Sequence, residues 1–143
     1  MTELLLAVAL GAGALPNFPV DTGGRISQAA IGIELGGSPV VVVAAGENVV
    51  AVRGDGGRVS GFPFTIGPGE SASGAPAAGD MDGDRRPEVA VVTITGKLFL
   101  WSGQVLPAFP LSLGSRVKAG ASFVDVDGDG KPEVLVGDER GKL

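Results

Sequence analysis

Three side chains are missing from this sequence, and each absence removes a class of chemistry. There is no cysteine, so a disulfide framework, a thiol nucleophile and a thiolate metal site are excluded. There is no histidine either, which removes zinc chemistry and a Ser-His-Asp triad. Tyrosine is also absent, leaving only Lys, Arg and carboxylates for acid–base work, a poor set for catalysis near neutral pH. The chain has no basic stripe interleaved with aromatics, so nucleic acid is not an expected partner. Its longest apolar stretch, residues 4–15, is too short to cross a bilayer, and no membrane insertion is expected. Glu3, and no Lys or Arg, precedes that stretch, unlike the basic start of a secretory signal.

What is present is punctuated and apolar. In 143 residues there are 25 Gly and 10 Pro, with Val, Leu, Ile and Ala runs between them. This describes a turn-rich globular chain of one domain. No stretch shows a sustained 3.6-residue apolar period, so an all-β fold is expected, with essentially no helix.

The net charge of −5 is concentrated, because eight of the sixteen acids lie in two nonapeptides. They are Asp80-Met-Asp82-Gly-Asp84-Arg-Arg-Pro-Glu88 and Asp125-Val-Asp127-Gly-Asp129-Gly-Lys-Pro-Glu133. Each runs directly into a β-type apolar segment. So many like charges this close repel unless a cation sits among them. Hard oxygens at alternate positions around a glycine turn suit Ca²⁺, which takes six to eight oxygen ligands. The expected ligands are Asp80, Asp82, Asp84, the carbonyl of Arg86 and Glu88 in the first loop. In the second they are Asp125, Asp127, Asp129, the carbonyl of Lys131 and Glu133. An EF-hand needs Glu at loop position 12; those positions are Val91 and Val136, which rejects it. A solvated acidic turn is the plainer alternative, but it gives no reason for the pattern to occur twice. Loop two has Gly130 at its sixth position, where loop one has Arg85. Positive φ there favours glycine, so loop two is expected to bind more tightly.

The loops are also markers of a repeat. Asp80 and Asp125 are 45 residues apart, and Phe18-Pro19, Phe62-Pro63 and Phe109-Pro110 recur at spacings of 44 and 47. A degenerate copy of the loop falls at residues 32–40, keeping Glu34 and Pro39, and is expected to bind no metal. The second period shows four strand-like runs, at residues 75–79, 88–94, 97–101 and 109–113. Four short strands in about 45 residues is the signature of a propeller blade. Two whole blades, 26–68 and 71–115, are flanked by half blades, 3–22 and 117–143. Three blade equivalents do not close a ring. The expectation is a homodimer of six blades, with half blades completed in trans; the alternative is a fragment of a longer propeller.

These motifs resemble the calcium-binding FG-GAP/VCBS repeats of integrin-α-like β-propellers, in their bacterial form. Asp-x-Asp-Gly-Asp-Gly-x-Pro-Glu, the apolar strand after it and Gly137 carry the resemblance, along with residues 73–78 and the Gly-Phe-Pro element of residues 61–63. The resemblance covers nearly the whole chain. It departs at the ninth loop position, which is Glu where integrin-type repeats usually have Asp, and in the decayed third loop. It implies four-stranded blades with Ca²⁺ in the hairpin between the first two strands. It also implies a non-enzymatic role in adhesion or recognition of an unknown protein or glycan ligand. Such loops often need millimolar calcium, which favours an extracellular or cell-surface setting. A lectin-like propeller and a piece of a larger propeller enzyme are the alternatives. Trp101 and Phe99 could form a sugar platform, but core between blades is the expected role. Asp21, Asp55 and Asp138 are expected as turn residues, and Arg53, Arg58 and Arg116 as solvated charges.

Overall fold

A computed structural model describes residues 15–143. The apolar stretch and most of the first half blade, residues 3–14, lie outside the described residues. Among those described there is no helix, and eleven strands form three antiparallel sheets.

The first sheet contains β1 (Ile31–Leu35), β2 (Ser38–Ala45), β3 (Asn48–Arg53) and β4 (Phe64–Thr65) in sequence order. The valine run of β2 is β-branched and favours an extended, pleated backbone. Leu35 pairs with Ser38, leaving Gly36 and Gly37 as a two-residue turn with φ of 59° and 77°. That is the mirror-image hairpin turn that glycine makes without steric penalty. The segment aligned with the acidic loops is therefore a tight hairpin here. Two glycines supply the reversal that eight loop residues supply elsewhere.

The second sheet contains β5 (Ala77–Gly79), β6 (Glu88–Val92), β7 (Lys97–Ser102), β8 (Gln104–Val105) and β9 (Leu111–Ser112). Strands β8 and β9 pair with opposite ends of β7. The fourth strand expected at 109–113 is thus shortened to β9, and β8 is an extra strand in the segment expected as a turn; Pro107 and Pro110 have no N–H to join the two in a continuous ladder. The first strand is also shorter than expected. Residues 71–73 pair with residues 92–94 through Ser73 N–H to Val92 O (2.8 Å) and Ile94 N–H to Ser71 O (3.0 Å), and Pro76 separates that pairing from β5.

The third sheet has two strands, β10 (Ser122–Val124) and β11 (Glu133–Leu135). After it, Asp138 N–H donates to Lys142 O (2.9 Å), as Thr93 N–H donates to Lys97 O (2.9 Å) in the second sheet.

The sheets stack face to face, with one apolar cluster at each junction. Val42, Ala44 and Val49 of the first sheet meet Val91, Phe99 and Trp101 of the second. Ala90, Val92 and Leu100 on the opposite face of the second sheet meet Phe123, Val134 and Val136 of the third. Phe18 and Val20 cover the outer face of the first sheet at Val43, Val50 and Val52. This division follows from the alternation of side chains along a strand. The Phe-Pro elements act as packing units, as expected. Phe62 lies 4.5 Å from Trp101 and Phe64 6.3 Å from Phe99, ring centre to ring centre.

Candidate metal centres in two acidic loops

Each acidic loop is closed at its base by strand pairing, Gly79 with Glu88 and Val124 with Glu133. Inside that frame the carboxylates hold the backbone, and the two loops do so in the same way. Asp80 accepts from Gly83 N–H through Oδ1 (2.7 Å) and from Arg85 N–H through Oδ2 (2.8 Å). Asp125 accepts from Gly128 N–H (2.7 Å) and Gly130 N–H (2.9 Å) through the corresponding oxygens. Asp82 and Asp127 accept from the N–H two residues on, at 3.0 and 3.1 Å. Glu88 reaches back to Met81 N–H (2.8 Å), and Glu133 to Val126 N–H (2.9 Å).

This bonding gathers oxygens from positions 1, 3 and 9. One ligand oxygen each from Asp80, Asp82 and Glu88 lie within 4.8 Å of one another, and the same holds for Asp125, Asp127 and Glu133. Asp84 and Asp129, at the fifth position, stand outside these triads. Their Oδ1 atoms accept from Arg86 N–H (2.7 Å) and Lys131 N–H (2.8 Å). The sequence expectation had all four carboxylates of each loop converging; oxygens from positions 1, 3 and 9 lie together, and the fifth-position Asp accepts from the N–H two residues on, as the third-position Asp does. Arg86 and Lys131 enter this geometry through their backbone N–H groups, not through the carbonyls expected as ligands.

The donor set suits a hard cation. It offers only carboxylate oxygens, each with a lone pair left after its hydrogen bond to the loop. Like charges held this close by a fixed loop also favour a divalent ion among them.

The loops differ at two points. Arg85 has a left-handed backbone, φ 68°, where loop two has Gly130 at φ 90°. The left-handed form costs a residue with a Cβ about 1–2 kcal/mol, a penalty glycine escapes. Against that, Glu88 is buried, and its second oxygen accepts from Ser102 Oγ of β7 (3.0 Å). Glu133 is only half-buried, and among the described residues no strand pairs on that side. Ser102 was not foreseen, because nothing local in sequence ties it to a loop fourteen residues earlier.

A second polar cluster was also missed. Glu70 is buried, and both of its oxygens accept from Thr95 Oγ1 (2.7 and 2.9 Å), with Lys97 Nζ 2.9 Å away. Burial pushes the Glu70 carboxyl up, but the Thr95 hydroxyl and the Lys97 ammonium together bring it below the ordinary carboxylate value. This arrangement clamps the segment before β5 to the β6–β7 turn.

The remaining candidates resolve into structure. Trp101 is 4% exposed and its indole N–H donates to Gly61 O (3.2 Å), so it is core rather than a sugar platform. Asp21, Asp55 and Asp138 each accept from the N–H two residues on, at 2.8 Å, as expected of turn residues. The Asp138 carboxyl is held below its usual range chiefly by the Lys142 N–H. Arg58 and Arg53 are more engaged than expected. Arg58 donates to Asp21 O (2.8 Å), and Arg53 donates to Arg58 O. Comparison with known proteins finds no matching family model and no significant match among curated proteins.

Proposed function

We propose that this chain is a calcium-binding β-propeller module that recognises a protein or cell-surface partner and performs no catalysis. The observation that carries the reading is the duplicated loop. Two carboxylate triads, held by the same hydrogen bonds and 45 residues apart, each sit between the first and second strands of a sheet. Three further features support blades. The sheets stack in chain order, β5 contacts β10 across neighbouring sheets, and the pairing within each sheet runs outward from the first strand.

In this reading Asp80, Asp82 and Glu88, and likewise Asp125, Asp127 and Glu133, hold the ion, while Asp84 and Asp129 keep the turn in shape. The ion removes the repulsion among the carboxylates and stiffens the loops at one end of the stack. A stiffened loop face loses less entropy on binding a partner. The calcium demand of such loops fits an extracellular or cell-surface setting.

Melting with and without calcium tests this. A ligand at a hundred times its Kd stabilises the native state by about 2.7 kcal/mol, which for a chain of this size raises Tm by roughly 10 °C. EDTA is expected to lower Tm by that order, Ca²⁺ to restore it, and Mg²⁺ to restore it less. A Tm indifferent to chelation refutes the reading.

A further inference from the structure

The seventh residue of each acidic loop is a cation placed against the sheet before its own. In loop two it is Lys131, whose Cε would lie 3.8 Å from a Cβ added to Gly83 of loop one. Lys131 therefore extends over a loop of four acids. Arg86 holds the same position in loop one, but the sheet before it has the Gly36–Gly37 hairpin in place of an acidic loop. Arg86 lines a cleft together with those two glycines. The decay of the first loop thus leaves a cation facing open space where its counterpart faces carboxylates.

The cleft has a volume of about 590 Å³ and runs between β1 and residues 84–87. It adjoins a second hollow of about 290 Å³, which shares Gly36, Arg86 and Pro87 and adds Leu35 and Val59 to the lining. Arg85 stands beside Arg86 in the cleft, and both are exposed. Among the described residues the ion pairs are Lys97 with Glu70 and Lys118 with Glu139, and neither arginine takes part in one. Arg85 keeps a left-handed backbone, φ 68°, where loop two uses glycine. Strain of that kind clusters at sites where a side chain serves binding rather than folding. Glu34 and Asp84 also line the cleft, so the ion decides the balance. Four carboxylates and two guanidinium groups leave residues 80–88 at −2, and one divalent ion brings them to zero.

Resting on the calcium-binding reading above, we propose that this cleft takes an acidic peptide segment of the partner, with a carboxylate side chain held by Arg85 and Arg86 and an apolar neighbour against Leu35 and Val59. A guanidinium offers parallel N–H groups that match the two oxygens of a carboxylate. An acidic glycan is the poorer fit, because the one aromatic in the lining is Trp101, which is buried and gives its indole N–H to Gly61 O. That leaves no ring face on which a sugar can stack. Calcium in loop one removes the local excess of negative charge, so it strengthens peptide binding, and the peptide strengthens calcium binding by the same factor.

Panning a phage-displayed library of random dodecapeptides on the 143-residue chain in calcium tests this. The enriched peptides are expected to share an Asp or Glu beside an apolar residue, and a synthetic copy of the strongest is then titrated by fluorescence anisotropy. Arg86→Gln changes an exposed side chain and keeps the backbone bond to Asp84. It should weaken the peptide by about tenfold or more, the worth of one charge-assisted hydrogen bond. Arg85→Gly should weaken it too while melting at or above the parent, since glycine relieves the left-handed backbone. Arg116→Gln makes the same charge change at an exposed residue outside the cleft and should bind as the parent does. EDTA should weaken the peptide in the parent. Enrichment without acidic residues overturns the proposal, as does an acidic peptide that binds Arg86→Gln or the chelated chain as tightly as the parent in calcium. A chain that selects no peptide overturns it as well, whether or not it binds heparin through the same arginines. A Tm that still falls on chelation beside any of these results leaves the calcium reading standing and removes the cleft assignment alone.

Discussion

Asp80 and Asp125 each accept two backbone N–H groups, so removing either carboxylate undoes the loop along with the metal site. Asp82 and Asp127 each accept only one, at an exposed position, and are the better residues for asking what the ion contributes. Losing one such exposed hydrogen bond costs about 1 kcal/mol or less. Asp82→Ala and Asp127→Ala should therefore melt close to the parent in EDTA and fall below it in calcium. The larger fall is expected for Asp127→Ala, because loop two keeps Gly130 where loop one holds Arg85 in a left-handed backbone. The reverse order would make loop one the stronger site. Its cause would then be the burial of Glu88 and the Ser102 hydroxyl on it. Melting curves of both variants at several calcium concentrations decide this.

Between elements, the Glu70 clamp matters in a different way. Its carboxyl sits below the usual range in the folded chain, so folding favours the ionised form. The stabilisation is fully present above the unfolded pKa, near 4.5, and is lost as pH falls through the folded value. Glu70→Gln keeps an acceptor for Thr95 but loses the ion pair to Lys97, whose side chain is 46% exposed. At neutral pH a loss of about 1–2 kcal/mol is expected. The gap from the parent should narrow as pH drops through the acid range, measured by denaturant unfolding in EDTA to keep the loops out of the comparison. A constant gap would mean that Glu70 contributes shape and not charge. Elements of this kind mark where sequence reading stops. The all-β class, most strand positions and the acidic loops were legible because period-two apolar runs and Asp-x-Asp-Gly are local signals. The shortness of the fourth strand was within reach, since Pro110 lies inside the expected range. The Glu70 clamp and the Ser102 contact were not, because each joins residues brought together only by strand pairing. The hydrogen bonds from Arg86 and Lys131 N–H to Asp84 and Asp129 were hidden too, because alternation says which way a side chain points, not which nearby N–H it accepts from.

For the molecule as a whole, stacking depends on how closely the sheets approach at the segments before their first strands. Between the second and third sheets this approach is backbone on backbone, at Gly74 and Gly120. A Cβ added to Gly74 would lie 2.6 Å from Gly120 Cα and closer still to its amide nitrogen. Neither atom can turn aside as a side-chain tip would. Gly74→Ala must therefore part the two sheets, opening the cluster that holds Val92, Leu100 and Val134. It also strains the bond from Ser73 Oγ to Ala119 O (2.7 Å), one residue away. Overpacking of this kind costs about 1–3 kcal/mol, or a fall in Tm of roughly 5–10 °C. Gly32→Ala is the matched control, because Gly32 lies in β1 with no atom within 4 Å of the added Cβ and no positive φ. It should melt with the parent or slightly above it, since alanine restricts the unfolded chain. Because the second sheet supplies a face to both large clusters, the Gly74→Ala loss should register equally in far-UV circular dichroism and in fluorescence of Trp101, the only tryptophan, which lies at the other junction. Loss confined to one signal would mean that the sheets unfold one at a time. Equal melting of the two glycine variants would mean that the Gly74–Gly120 approach does not set the stacking.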